Sequence, residues 1–173
     1  MILAFGGIPL LWYGDELGTF NDDSFLEDPN KASDTRWMHR PRIDWQRAEE
    51  RHHHGTPEQR IFDGLKRLIA VRKGTLAFAD FNNRELIEVE NPHLFAFLRT
   101  PPGLQGTAVL VVANFDLNPQ YLDLDSLSTR GHFRFGQLQD LASGHTPALF
   151  NGRLVVPPHR FYWLAEQRPG LGL

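Results

Sequence analysis

Several clusters of side chains in this sequence are of types that do chemistry. Asp15 and Glu16 are adjacent carboxylates at the end of an apolar run. Paired carboxyl groups serve acid/base and nucleophilic work on glycosidic bonds, but retaining enzymes hold them about 5 to 5.5 Å apart on separate elements. Neighbours in an extended chain point to opposite sides, so this pair reads as capping groups for a loop rather than as an acid/base couple. His52-His53-His54 has the composition of a metal tract, yet it precedes a helix cap with no cysteine or spaced carboxylates to complete a ligand set, which favours a solvated loop. Asp22, Asp23, Glu27 and Asp28 lack the spacing of a calcium loop and read as solvated charge. The densest cluster is Asp34-Thr35-Arg36-Trp37-Met38-His39-Arg40-Pro41-Arg42. An arginine fork pairs bidentately with a carboxylate while its spare N–H groups reach hydroxyls, and a tryptophan face suits the C–H face of a pyranose. By residue type alone the segment serves equally as a substrate-facing surface or as a structural salt-bridge network.

These groups must be positioned by the elements around them. Ile8 to Tyr13 is a continuous apolar run bounded by glycines, the pattern of a strand buried on both faces that empties into a polar loop. Thr19 to Gly55 is long, polar and interrupted by Pro29 and Pro41. Its aromatics Phe20, Phe25, Trp37 and Trp45 argue for a folded, functional loop, since disordered segments are poor in such residues. Thr56-Pro57-Glu58-Gln59 supplies an N-cap, a proline at the first helical position, an acid for the dipole and a capping-box glutamine. A helix follows with Ile61, Leu65, Leu68, Ile69 and Val71 at helical spacing, basic residues near its end, and Gly74 suited to a left-handed cap. Its apolar face should pack on the opening run. From about Arg84 the period becomes two. Leu86–Val89, His93–Arg99, Thr107–Phe115, Gln120–Leu124, His132–Leu138, Ala148–Phe150 with Leu154–Val156, and Arg160–Ala165 read as strands separated by turn residues. That series predicts an antiparallel sandwich, and Asn151-Gly152 is its strongest hairpin signal.

The composition excludes several classes. A net charge of −3 gives no reason to expect nucleic acid or an anionic membrane as a partner. Zero cysteines exclude disulfides and thiolate catalysis, and no apolar stretch approaches the roughly 20 residues that span a bilayer. Met1 to Gly7 lacks the basic region and length of a secretory signal, which favours the cytoplasm over export, and it reads as the tail of an apolar helix cut short.

The motifs also carry a resemblance. Gly7-Ile8-Pro9-Leu10 through Tyr13-Gly14-Asp15-Glu16-Leu17-Gly18 resembles the eighth strand and exit loop of the catalytic barrel in glycoside hydrolase family 13, the α-amylase family. Asn21-Asp22-Asp23-Ser24-Phe25-Leu26-Glu27-Asp28-Pro29, with Asp34 to Pro41, is similar more selectively to its amylosucrase and sucrose hydrolase branch. The family follows its eighth barrel helix with a small antiparallel β-sandwich, domain C, so the resemblance covers the chain up to its tail.

The resemblance implies a mainly β chain: residues 1–80 as the last strand, loop and helix of a truncated (β/α)8 barrel, 81–168 as the sandwich, and 169–173 as a tail. It implies a parent enzyme that moves glucose from sucrose onto an α-glucan with release of fructose, or onto water in the hydrolase version. The three acids of that double displacement lie on the fourth, fifth and seventh barrel strands, so none falls in this chain and the chain alone should be inactive. No cofactor or metal is implied. Arg36 corresponds to the arginine that, in exo-acting relatives, pairs with an aspartate from an early barrel loop to close the glucosyl pocket. Here it should be exposed or re-paired with Asp34 or Asp15. Trp37, His39 and Arg40 share its motif and are expected to shape the loop or touch sugar, while Asp15, Glu16 and Asp34 are structural. The expected partners are sucrose, α-glucan and the N-terminal barrel. An unpartnered apolar surface predicts self-association, rearrangement or disorder of residues 1–55. The contrasting reading is a non-catalytic sandwich that stabilises a partner or binds glucan.

Overall fold

The computed structural model describes residues 1–103, 106–128 and 138–166. Two compact units emerge. One is Leu10–Arg67; the other joins Met1–Pro9 to the chain from Leu68 onward.

The larger unit is built on strands β1 (Arg84–Ile87), β2 (Leu94–Arg99), β3 (Val109–Asn114), β4 (Gln120–Asp123), β5 (Leu138–Asp140), β6 (Leu149–Phe150), β7 (Arg153–Val156) and β8 (Phe161–Glu166). They form a five-stranded sheet in the order β1-β2-β3-β8-β5 and a three-stranded sheet in the order β4-β7-β6, with every pairing antiparallel. Side chains alternate between faces along a strand. Leu94, Ala96 and Leu98 therefore join Leu110, Val112 and Leu164 in a core that meets Leu122, Leu154 and Val156 of the smaller sheet. The expected sandwich is present. Asn151 and Gly152 both take positive φ (50° and 75°), the requirement of a type I′ turn, and place Phe150 opposite Arg153. Of the expected strand His132–Leu138, only Leu138 is among the described residues, where it opens β5; the expected tail 169–173 lies outside them.

The opposite face of the five-stranded sheet is buried too. A single helical turn, α1 (Ile2–Phe5), places Phe5 edge-on to Phe97 at 5.4 Å, and Phe78 meets Trp163 at 5.0 Å. With cover on both sides, all six residues of β3 are buried, which explains why that strand reads as a nearly unbroken apolar run. Arg99, fully buried, donates to the carbonyls of Ala4 and Asp80 and to Asn83 Oδ1, so one fork ties the N-terminal segment and the loop after residue 78 to β2. Gly6 is required at this junction: its φ is 125°, and a Cβ would meet the Phe81 carbonyl at 2.6 Å. These bonds group Met1–Pro9 with the sandwich.

Helix α3 (Pro57–Gly74) starts as its capping residues predict, with Thr56 Oγ1 accepting from Gln59 N at 3.2 Å. Its end differs from expectation. Gly74 is not left-handed; instead Thr75 Oγ1 donates to the Val71 carbonyl at 2.7 Å and supplies the cap. The helix meets the glycines that flank the opening run: a Cβ on Gly18 would lie 2.5 Å from Ile61 Cδ1, and Arg72 donates to the Gly7 carbonyl at 3.3 Å.

Ile8 to Tyr13 forms no strand, a correction to the sequence reading. A strand needs ladder partners on its edges, and this run finds none, leaving Ile8 84% and Leu10 75% exposed. Nor is the long polar segment structureless. It folds into 3₁₀ turns at Asp23–Glu27, Thr35–His39 and Glu50–His52, with a short helix α2 (Trp45–Glu49), and a further 3₁₀ turn at Asp15–Leu17 precedes it. No described helix is long and apolar enough to cross a membrane.

Candidate functional site

The candidate site lies within the unit Leu10–Arg67, and its construction begins with aspartates. Asp22 accepts from Ser24 N at 2.9 Å, Asp34 from Arg36 N at 3.1 Å and Asp44 from Arg47 N at 3.0 Å, each starting one of the short turns or α2. Aspartate suits this place because its short side chain reaches the unpaired amides of a helix start. The turns are then laced together. Trp12 Nε1 donates to the His39 carbonyl at 2.9 Å, the Tyr13 hydroxyl to the Pro41 carbonyl at 3.3 Å, and Asp22 N to the Met38 carbonyl at 2.9 Å. His39 Nδ1 lies 3.1 Å from Asn21 Oδ1.

This lacing encloses a cavity of about 830 Å³, a size that suits a small ligand. Phe20, Phe25 and Trp37 give it apolar walls, and Lys31, Arg40, Arg42 and Arg47 supply cations. Lys31 stands 5.1 Å and Arg40 5.7 Å from the Trp37 ring centre, and Arg47 lies 5.7 Å from that of Phe20. Cations therefore lie over the Trp37 face that the sequence offered for sugar stacking and over Phe20, and each pair is an attraction between positive charge and the ring quadrupole. Arg47 also pairs with Glu58 at 2.6 Å, and Lys31 with Asp28 at 3.1 Å.

The electrostatics are those of a loop tied by its own acids. The Arg36 fork and backbone N–H hold Asp34 below the usual carboxylate range, and Asp34 in turn raises Arg36. The Ser24 hydrogen bonds lower Asp22; the Asn30 backbone N–H, then Lys31, lower Asp28. Arg47 lowers Glu58.

Arg36 sits in a bidentate pair with Asp34, both bonds at 2.8 Å, and its side chain is 75% exposed. Trp37 and Arg40 line the cavity, while Arg36 and His39 do not. Asp15 accepts from Trp12 N and Glu16 from Gly14 N, both at 2.9 Å, so each carboxylate holds the backbone of the turn. His53 pairs with Glu50 at 3.1 Å, and no group of three or more His, Asp or Glu among the described residues converges as for a metal. Sequence reasoning missed Arg47, Asp44 and Ile43 as cavity residues. The signal was present in Asp44-Trp45-Gln46-Arg47, an N-cap before a helical turn, inside a stretch read as loop. The arrangement places arginine and lysine donors along the cavity wall. It presents no nucleophile paired with a base.

Fold and site together define a class: a two-sheet antiparallel sandwich, preceded in sequence by a laced loop unit rich in arginine and aromatics. Residues 84–163 match the family described as Maltogenic Amylase, C-terminal domain. Trehalose synthase/amylase TreS of Mycobacterium tuberculosis is 26% identical over 191 residues, covering 94% of this chain and 30% of that protein. The Mycolicibacterium smegmatis protein of the same description is 26% identical over 198 residues, covering 98% of this chain and 32% of its own length. The chain thus spans about a third of the length of the curated relatives it matches. Among solved structures, Eubacterium rectale Amy13B superposes with a TM-score of 0.45 at 18% identity, covering 62% of this chain and 20% of the other.

Proposed function

We propose that this chain is the C-terminal part of an α-amylase-family enzyme, with residues 1–80 closing the catalytic barrel and 81–168 forming its C-terminal sandwich. The finer reading is an amylosucrase-like, α-retaining transglucosidase that converts sucrose into α-1,4-glucan and fructose. The observation that carries the proposal is the match of residues 84–163 to an amylase C-terminal domain in a chain that also holds the segment Asn21 to Pro41. Arg36 supports the finer reading: exposed, and paired with its own neighbour Asp34, its fork can re-pair with a carboxylate from another segment. In the double displacement implied by the resemblance, an aspartate attacks the anomeric carbon while a glutamate protonates the leaving oxygen, and water or an acceptor hydroxyl then releases the glucosyl unit. No residue of this chain takes those roles.

The isolated chain is therefore expected to turn over neither sucrose nor a nitrophenyl glucoside. Turnover abolished by a point substitution within residues 1–173 would overturn this. For the parent, an open reading frame continuing upstream of Met1 into a barrel with the three acids, whose product releases fructose from sucrose and deposits glucan, supports the finer reading. Fructose with free glucose and no glucan indicates the sucrose hydrolase alternative. A second reading follows from the relatives that match nearly all of this chain, which are described as trehalose synthase/amylase. A parent that forms trehalose or cleaves starch without releasing fructose would establish it over the first. An upstream stop codon would leave the non-catalytic sandwich module.

A further inference from the structure

The cavity within Leu10–Arg67 carries more positive charge than an uncharged sugar calls for. Lys31, Arg40, Arg42 and Arg47 line it, against the carboxylates of Asp22 and Asp44. Two of these cations are committed elsewhere, Arg47 to Glu58 and Lys31 to Asp28. Arg40 and Arg42, on either side of Pro41, are exposed and make no ion pair among the described residues. Asp34 feels the charge of Arg40, but both of its oxygens are taken by the Arg36 fork. The Trp37 ring steadies part of this charge, with Lys31 5.1 Å and Arg40 5.7 Å from its centre. A cation already seated on a ring loses less freedom when it takes up a ligand.

We propose that this cavity binds a small di- or tricarboxylate. Phosphate groups favour clusters of backbone N–H donors. Here the amides that open the turns and α2, those of Ser24, Arg36 and Arg47, each already donate to an aspartate. What stays open is a pair of planar guanidinium forks, and a fork matches the two oxygens of a carboxylate. Four cations against two carboxylates leave an excess that a ligand with two or three carboxyl groups neutralises. Leu17, Phe25 and Ile43 line the same space and suit the hydrocarbon skeleton between those groups. The cavity, at about 830 Å³, has room for such a molecule. The inference is independent of the reaction proposed above, whose sugars are uncharged.

The test measures labelled citrate bound to the whole chain by equilibrium dialysis, at neutral pH and constant ionic strength, with tricarballylate, phosphate and glucose as competitors. Saturable binding is expected, displaced by tricarballylate, weakly by phosphate and not by glucose. Arg40→Gln and Arg42→Gln should each weaken it about tenfold or more, since each removes charge-assisted hydrogen bonds. Melting curves should stay in place, because neither arginine is buried. Arg40→Lys keeps the charge without the fork and should recover only part of the affinity. Arg60→Gln, exposed and outside the lining, should bind as the unaltered protein does. The site is overturned by an absence of saturable binding, by phosphate competing as well as tricarballylate, or by Arg60→Gln weakening binding as much as Arg40→Gln, which would mark a general charge effect.

Discussion

Glu58 is buried beside Arg47 at 2.6 Å, and that single pair anchors the start of α3 to the short helix α2. The Arg47 guanidinium holds the Glu58 carboxyl below its ordinary value of 4.5. A folded-state pKa below the unfolded one adds stability that is complete above the unfolded value and is lost as pH falls through the folded value. The protein should therefore lose stability on acidification below about pH 4.5, and Glu58→Gln should flatten that part of the profile. Urea midpoints measured along a descending pH series would check this; equal slopes in both proteins would remove Glu58 as the cause. The Arg36–Asp34 pair contrasts with it. It is short and bidentate, but its arginine is largely in water, where ion pairs contribute little to stability.

At the scale of elements, α1, the loop after residue 78 and β2 are joined by Arg99 rather than by a ladder. Burial lowers the Arg99 pKa from its ordinary value, with Arg72 nearby pushing the same way, and the bonds to Ala4, Asp80 and Asn83 compensate the desolvated fork. Arg99→Met fills the volume but leaves those acceptors unmatched, which should destabilise the protein by roughly 1–3 kcal/mol. Amide exchange around Ala4, Phe5 and Gly7 should then quicken. Lysine should not rescue it, since a point charge cannot reproduce a planar fork. Unchanged exchange in the methionine variant would show that α1 is held by Phe5 and its ring contacts instead. The elements were unevenly legible. The hairpin at Asn151-Gly152 and the start of α3 are local chemistry and stand where their residues put them. The end of α3 was misread because Thr75, one position beyond the expected glycine cap, caps through its own hydroxyl.

At the scale of the whole molecule, Ile8, Leu10, Phe20 and Trp45 are each at least 75% exposed, and large exposed apolar side chains favour association. Self-association at micromolar concentration is the expected behaviour. Static light scattering over a dilution series should give a mass that rises with concentration; a constant monomer mass, with slow exchange at residues 1–20, would overturn it. Replacing Ile8 and Leu10 by serine should lower the association without disturbing the sandwich, whose core includes neither residue.

What the sequence determined by itself is whatever depends on neighbours along the chain: the alternating strands, the I′ turn and the N-terminal cap of α3. The tertiary structure decided what depends on distant partners. Ile8 to Tyr13 has the composition of a buried strand, but a strand exists only where other strands satisfy its backbone, and none of the described strands pairs with it. Trp37 has a face fit for a sugar, but Lys31 and Arg40 lie over that ring. Arg99 reads from its alternation as one more strand residue, and only the packing of α1 onto the sheet turns it into the clasp of the unit.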